Sequence, residues 1–396
     1  MSEIPSDITY DILKYLPVKS LLRFRCLSKA YCSLIDSRDF INFHLSNSKN
    51  TNTNRSLIIA QTDLQPCRWR NNKTYTMNLD CPDHQLVEFE HIFSVFQGIE
   101  PNYDDHLRNL VIFGSCNGLI ALYHPDQGMS LWNPSTKKQQ KLPNFWGSDR
   151  KIRSSDYLLD GFGYDPVSDD YKVIRIRTIN NKSRNRSRVM VYSVKHNFSR
   201  RIQDFPYKVR GDDKRNWGTL VGSCLHWIVS EPDDIKDRLI VSFNLEDERF
   251  RAVPIPDVLK HEEYLLVELG EVGGCLSMST DDEREFLVEI WVMKEYGIIE
   301  SWIRIFSTYK PNLCLKSLLT SHVKPIGYSK TGDKLLLDVN SCNLFDYDLK
   351  EEEENQTSPY EPDKRIRRIE ILGGWIKWDY SFICVRSLVP VNLNPN

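Results

Sequence analysis

Long apolar runs are missing from this chain. Nowhere do about 18 hydrophobic residues follow one another, so no segment reads as a membrane-crossing helix. The first residues lack a basic stretch followed by an apolar one, so no secretory signal is read there. An excess of either charge is also missing. The 52 Lys and Arg against 54 Asp and Glu leave a formal net charge of −2. Bulk electrostatics therefore gives no case for nucleic acid or an anionic membrane as partner. The ten cysteines are scattered without a C-x-x-C pair. That removes the paired spacing of a zinc site, and a reducing cytosolic or nuclear setting is expected. No H-E-x-x-H spacing exists for a catalytic metal. Gly161-Phe162-Gly163 lacks the third glycine and the following helix of a dinucleotide site. No metal, no cofactor and no catalytic residue is expected.

What remains is a chain of 396 residues, 40% hydrophobic and 27% charged, values of a globular protein with room for two or three domains. Its N-terminus reads as helices. Ile4, Ile8, Ile12, Leu13 and Leu16 recur every three or four residues, as one face of a helix does. Pro17 ends that helix and can open the next, which carries Leu21, Leu22, Phe24, Cys26 and Leu27. Ser28 can cap a third helix with Tyr31, Leu34 and Ile35. So much apolar surface on about 40 residues cannot be buried by the unit alone. It points to a face made for a partner.

Residues 46–56, "SNSKNTNTNRS", are polar and low in complexity and read as a linker. Past them the period changes from helical to alternating. "SLIIAQ", "GLIALYH", "DYKVIRIR", "RVMVYSV", "RLIVSFNL", "FLVEIWVM" and "DKLLLDV" read as short strands. Asn117-Gly118, Asp165-Pro166 and Thr331-Gly332-Asp333 read as turns. A strand with an apolar anchor, often followed by Asn or Asp, returns near Met77, Trp132, Tyr192, Phe243, Trp291 and Tyr347. The spacing is roughly 50 to 60 residues, near the kelch-type period. Gly114-Ser115-Cys116 and Gly222-Ser223-Cys224 read as a second repeat in phase with it. Four-stranded units at this period make a β-propeller. The final "GWIKWDYSFICVRSLVPV" supplies a strand to close it against the earliest unit. The expected fold is mainly β with a small N-terminal α domain: three helices over 1–45, a linker over 46–56, then a kelch-like β-propeller of about six or seven blades over 57–390. A seventh blade would fall around Cys67 to Tyr103.

Two stretches resemble known families. "IPSDITYDILKYLPVKSLLRFRCLSKAYCSLI" resembles an F-box, with an Ile-Pro opening where Leu-Pro is usual and Tyr31 where the family most often has Trp. "FGSCNGLIALY", "LWNPSTKKQQKLP", "GFGYDPVSDDYKVIRI", "LHWIV", "SFNLEDERFRAVPIP" and "SWIRIF" resemble the type 1 F-box-associated interaction domain of plant F-box proteins. The likeness extends to immune-regulating and S-locus members. It implies a non-catalytic substrate receptor of a Skp-cullin-F-box ubiquitin ligase. Such a subunit docks on a Skp-type adaptor, and through it on a cullin and a RING subunit, and holds a protein target for ubiquitination and degradation. The expected adaptor contacts are Ile4, Pro5, Ile8, Ile12, Leu16, Pro17 and Leu21. The competing reading is a glycan-binding or enzymatic propeller with an unrelated helical hairpin.

Other constellations read as structure. Gly114 to Gly118 has the outline of a nucleophile elbow, but "LIALY" after it is a strand, not a helix. His226, between Leu225 and Trp227, reads as a sheet residue. Asp165, Asp169 and Asp170 read as an Asx-turned hairpin rather than a metal site. The basic stretch from Arg175 to Arg188 reads as a solvated hairpin loop, with an acidic partner as the alternative. "KRIRRIEI" reads as an edge strand. Trp132, Phe243 and Trp291 read as core. Candidate target-binding loops are Phe145 to Asp156, Thr178 to Arg188 and Ser230 to Asp237.

Overall fold

The computed structural model describes residues 6–61, 73–80, 86–89, 111–124, 128–143, 156–179, 186–209, 215–230, 238–259, 265–282, 284–313, 322–350, 363–369, 378 and 380–392. The chain divides into two compact units. The first runs to Leu142 and includes the C-terminal segment from Phe382. The second lies between them.

The first unit opens with α1 (Ser6–Leu13), α2 (Val18–Phe24) and α3 (Lys29–Ile35). Pro17 sits at the N-cap of α2 with φ −58°, the value its ring imposes. The Ser28 side chain accepts a hydrogen bond from Tyr31 N and starts α3. Both punctuation marks fall where the sequence puts them. A fourth helix, α4 (Arg38–Asn50), was not foreseen. Ser37 caps it, and Phe40, Ile41, His44, Leu45 and Ser48 form its buried face. His44 Nε2 lies 2.9 Å from the Leu16 carbonyl, and the Phe40 ring meets Tyr10 edge-on at 5.6 Å. These contacts hold α4 against the α1–α2 corner.

The expected linker over 46–56 is therefore corrected. Its first residues are the last turn of α4, and its last two begin β1 (Arg55–Gln61). The asparagines there do conformational work. Asn52 and Asn54 take φ of 50° and 55°, a left-handed region that Asn tolerates. Asn54 Nδ2 also donates to Ser48 Oγ at 2.9 Å inside the structure.

Six sheets, almost wholly antiparallel, follow among the described residues. The first contains β1, β2 (Lys73–Asn78) and β3 (Leu86–Phe89). The second contains β4 (Val111–Cys116), β5 (Leu119–His124), β6 (Gly128–Asn133) and β7 (Lys138–Lys141). In the second unit, the third sheet contains β8 (Asp156–Asp165), β9 (Asp170–Ile179), β10 (Arg186–Ser193) and β11 (Phe198–Arg201). The fourth is built from β12 (Lys208–Val209), β14 (Thr219–Val221), β15 (Cys224–Ser230), β16 (Leu239–Asn244) and β17 (Phe250–Val253), while β13 (Arg215–Trp217) pairs in parallel with β8. The fifth holds β18 (Leu265–Val272), β19 (Cys275–Asp282), β20 (Leu287–Met293) and β21 (Trp302–Tyr309). The sixth holds β22 (Val323–Tyr328), β23 (Lys334–Val339), β24 (Asn343–Asp348) and β25 (Ile366–Ile369). The last strand, β26 (Tyr380–Val385), pairs with β1 and completes the first sheet. The C-terminal strand therefore closes on the earliest one, as its sequence suggested. The described residues between Cys67 and Tyr103 belong to this first sheet, which leaves six sheets and no seventh among the described residues.

The repeated anchor has a physical basis. Each copy ends β2, β6, β10, β16, β20 or β24, the third strand of its sheet. The Asn or Asp that follows folds its side chain over the next turn. Asn78 accepts from Asp80 N at 3.1 Å, Asn133 from Ser135 N at 2.8 Å, Asn244 from Glu246 N at 2.7 Å and Asp348 from Lys350 N at 2.9 Å. These are Asx turns, which give the backbone a local acceptor where the ladder ends. The two Gly-Ser-Cys triplets are not equivalent. The first finishes β4 ahead of the Asn117-Gly118 turn, whereas the second makes the β14–β15 turn itself. Their match is one of composition, out of phase by about one turn.

Candidate adaptor face and its joint to the sheets

The outward side of α1 carries Ile8, Ile12 and, one turn on, Tyr15. They are 50%, 52% and 67% exposed. Leu27 after α2 and Phe43 on α4 are exposed as well. Leu13, Val18, Leu21 and Ile35 turn the other way and are buried. The short helices thus have two apolar sides, because positions 8, 12 and 15 and position 13 face opposite directions at 3.6 residues per turn. Lys14 is fixed between them by a 2.6 Å ion pair with Asp11. Its ammonium lies 5.2 Å from the Tyr15 ring and 5.6 Å from the Phe43 ring. Arg25 at the end of α2 forms a fork on Asp36 at the end of α3, at 2.5 and 2.6 Å.

Of the seven expected contacts, Ile8, Ile12 and Pro17 are exposed and Leu16 is half-buried. Leu21 is completely buried and belongs to the helices' own core, a correction to its expected place on the outer face. Ile4 and Pro5 lie outside the described residues. Tyr15, Leu27 and Phe43 were missed. Tyr15 continues the step from Ile8 and Ile12, so its spacing was a usable signal. Cys26, placed by the sequence among the apolar residues of the second helix, is exposed.

The helices are joined to the sheets by polar contacts. Lys49 Nζ donates to Asn117 Oδ1 at 2.5 Å. Arg386 donates from its backbone N to the Asn54 carbonyl at 2.6 Å and from Nε to Ser56 Oγ at 2.7 Å. Ser387 Oγ donates to the Asn117 carbonyl at 2.7 Å, and Asn133 Nδ2 to the Val389 carbonyl at 2.7 Å. Gly118, at φ +82°, lets this segment pass. A Cβ there would collide with the Ser387 hydroxyl and lie 2.5 Å from the Val385 carbonyl. The end of α4, the β4–β5 turn and the C-terminal segment form one hydrogen-bonded joint within the first unit.

The other sequence candidates resolve as structure. His226 is fully buried. Its Nδ1 is 3.1 Å from the Thr219 carbonyl, which can only accept, so Nδ1 carries the proton and Nε2 accepts from Tyr296 Oη at 2.7 Å. Burial pushes its pKa down to about 4. Asp165 accepts from Val167 N at 2.9 Å and lies 2.8 Å from Lys172 Nζ. Among the described residues no three His, Cys, Asp or Glu side chains converge as metal ligands. The basic stretch is neither a loop nor solvated at its start: Arg175 and Arg177 are buried in β9. Arg175 Nη2 donates to Asp160 Oδ2 at 2.7 Å. The tip of that hairpin, 180–185, and most of the other two proposed target loops lie outside the described residues. "IRRI" is the outer strand β25, as expected. Trp132 and Phe243 are core, and Trp291 is half-buried.

Comparison with known proteins agrees with this arrangement. Residues 1–43 match the F-box domain model. Residues 71–361 match the model described as the F-box associated beta propeller domain. F-box protein CPR1 of Arabidopsis thaliana is 32% identical over 88% of this chain and 83% of its own length. An F-box/kelch-repeat protein of the same plant is 28% identical over 85% of this chain and 86% of its own. A fucose-specific lectin from Aleuria aurantia overlaps at a TM-score of 0.39 with 13% identity, covering 81% of this chain and 96% of its own. That likeness carries no argument.

Proposed function

For a chain that belongs to the plant F-box proteins, with an F-box followed by a six-blade F-box-associated β-propeller, we propose the role of substrate receptor in a Skp-cullin-F-box ubiquitin ligase. The observation that supports it is the exposed apolar stripe of Ile8, Ile12 and Tyr15 on a helical unit whose inner side is already filled. A face of that kind is stabilised by a partner. Each large side chain it buries contributes roughly 1.5–3 kcal/mol. The partner proposed is a Skp-type adaptor, which brings the cullin and the RING subunit. Ile8, Ile12, Tyr15 and Pro17 make the contact, with Leu16 beside them, and Ile4 and Pro5 are proposed contacts from the sequence alone. Leu21 supports them from beneath.

The propeller holds the protein target. Catalysis belongs to other subunits, and this chain contributes proximity. The reading places the protein in the cytoplasm or the nucleus. The sequence likeness to immune-regulating and S-locus F-box proteins makes immune regulation or pollen incompatibility the processes to examine first.

Mixing the full chain with a Skp-type adaptor, a cullin and a RING subunit tests the proposal. One complex containing all four on gel filtration is the expected result. A chain that elutes apart from the adaptor at micromolar concentration would contradict it.

A further inference from the structure

The fourth helix carries an apolar side chain that its own packing does not use. Phe40, Ile41, His44, Leu45 and Ser48 make the buried face of α4. Phe43 stands one turn from Phe40 yet remains 43% exposed. Tyr10 of α1 lies against both rings, edge-on to Phe40 at 5.6 Å and tilted to Phe43 at 6.1 Å. One side of the Phe43 ring is therefore held by α1, and the other faces water. Its exposed neighbours along α4 are Asp39, Asn42 and Ser46. These are short side chains, so the ring stands above them.

A single exposed ring is ordinary. Lys14 makes this one part of a larger face. Its ammonium lies against the Tyr15 ring and the Phe43 ring at once, within the range of a cation–π contact. A lysine usually carries its charge out into water. Here the side chain is only 18% exposed, and Asp11 takes its charge at 2.6 Å. No unpaired ammonium therefore separates Tyr15 on α1 from Phe43 on α4. The exposed stripe of Ile8, Ile12 and Tyr15 continues round the corner of the unit onto α4. Both rings are held in place before any partner arrives, which lowers the entropy cost of binding. The match to the F-box domain model runs to residue 43 itself, while α4 runs on to Asn50.

We propose that the Skp-type adaptor wraps from α1 onto α4, with Phe43 as a contact residue and Lys14 as a positioning residue that sets the spacing of the Tyr15 and Phe43 rings. This rests on the receptor reading and extends its surface to a second helix. The adaptor is the occupant because Phe43 is continuous with the stripe assigned to it. An aliphatic side chain of the adaptor packs on the two rings, and the Lys14–Asp11 pair lies beneath the contact.

Hydroxyl-radical footprinting of the full wild-type chain, alone and with a Skp-type adaptor, tests the contact without any variant. Labelling of Phe43 and Tyr15, read by mass spectrometry, should fall several-fold in the complex. Labelling of Phe198, an exposed ring on β11, should not change. Calorimetric affinities test the same point by substitution. Phe43→Ser should weaken adaptor binding roughly tenfold, Phe43→Leu should keep most of it, and Phe198→Ser should leave it unchanged. Lys14→Ala should cost a smaller factor, and Lys14→Arg, which keeps a cation between the rings, should restore it. Equal affinity in Lys14→Ala and wild type would remove the role given to Lys14. Phe43 labelled equally with and without bound adaptor, or Phe43→Ser binding as tightly as wild type, would overturn the proposal. If the wild-type chain fails to hold the adaptor, the receptor reading fails; if the adaptor is held while Phe43 stays open to labelling, only this inference fails.

Discussion

Isoleucine behaves oppositely in the two parts of this molecule. On α1, Ile8 and Ile12 are half exposed. In the sheets, Ile174, Ile176 and Ile290 are fully buried. A strand in a packed sheet finds neighbours for its apolar face within its own chain. The helical unit has filled its inner side with Leu13, Val18, Leu21 and Ile35 and still has apolar residues to spare. The strand cores are self-sufficient, with Ile298 and Ile303 near β21 as exposed exceptions, whereas α1 leaves Ile8 and Ile12 open along one side.

That contrast can be broken at its strongest point first. Asp160→Ala would remove the carboxylate that Arg175 forks inside the third sheet, where both side chains are almost inaccessible. Losing one member of such a pair costs about 3–5 kcal/mol. Urea unfolding should show a lower midpoint of that size, and a loss under 1 kcal/mol would mean the sheet is less self-sufficient than described.

A smaller effect comes with acid. His226 has its folded pKa pushed down to about 4 from an ordinary value of 6.5. The unfolded chain therefore takes up a proton first as pH falls. The stabilising contribution is complete above pH 6.5 and is lost between 6.5 and about 4, roughly 3 kcal/mol in all. Unfolding free energies measured from pH 7 to 5 should decline, and the decline should shrink in His226→Gln. An equal slope in that variant would remove His226 as its source.

The smallest effect on stability is expected on the helices. Ile8→Ser/Ile12→Ser removes two side chains that already face water, so the unfolding midpoint should shift by no more than about 0.5 kcal/mol. A larger loss would mean these residues are packed on their own chain.

Much of this was readable beforehand, for a reason. Pro17, Ser28, the Asn117-Gly118 turn and the Asn or Asp after four of the six anchors act on their immediate neighbours, so local spacing reveals them. The joint was not readable. Residues 46–54 look like a solvated linker because they are polar, yet Ser48 and Asn54 are buried against each other. Arg386 and Ser56 meet across 330 positions of sequence. No local pattern announces a polar contact at that distance. Leu21 was misplaced because a two-sided apolar helix gives one periodic signal for both its sides. The repeated Gly-Ser-Cys misled because identity of letters was taken for identity of strand position.

The account depends most on what covers α1. The decisive measurement is the affinity of the full chain for a Skp-type adaptor, wild type against Ile8→Ser/Ile12→Ser, with the unfolding midpoint of both recorded. The expected result is a hundredfold or greater loss, about 3 kcal/mol, at an unchanged midpoint. Equal affinity in the two proteins would contradict it.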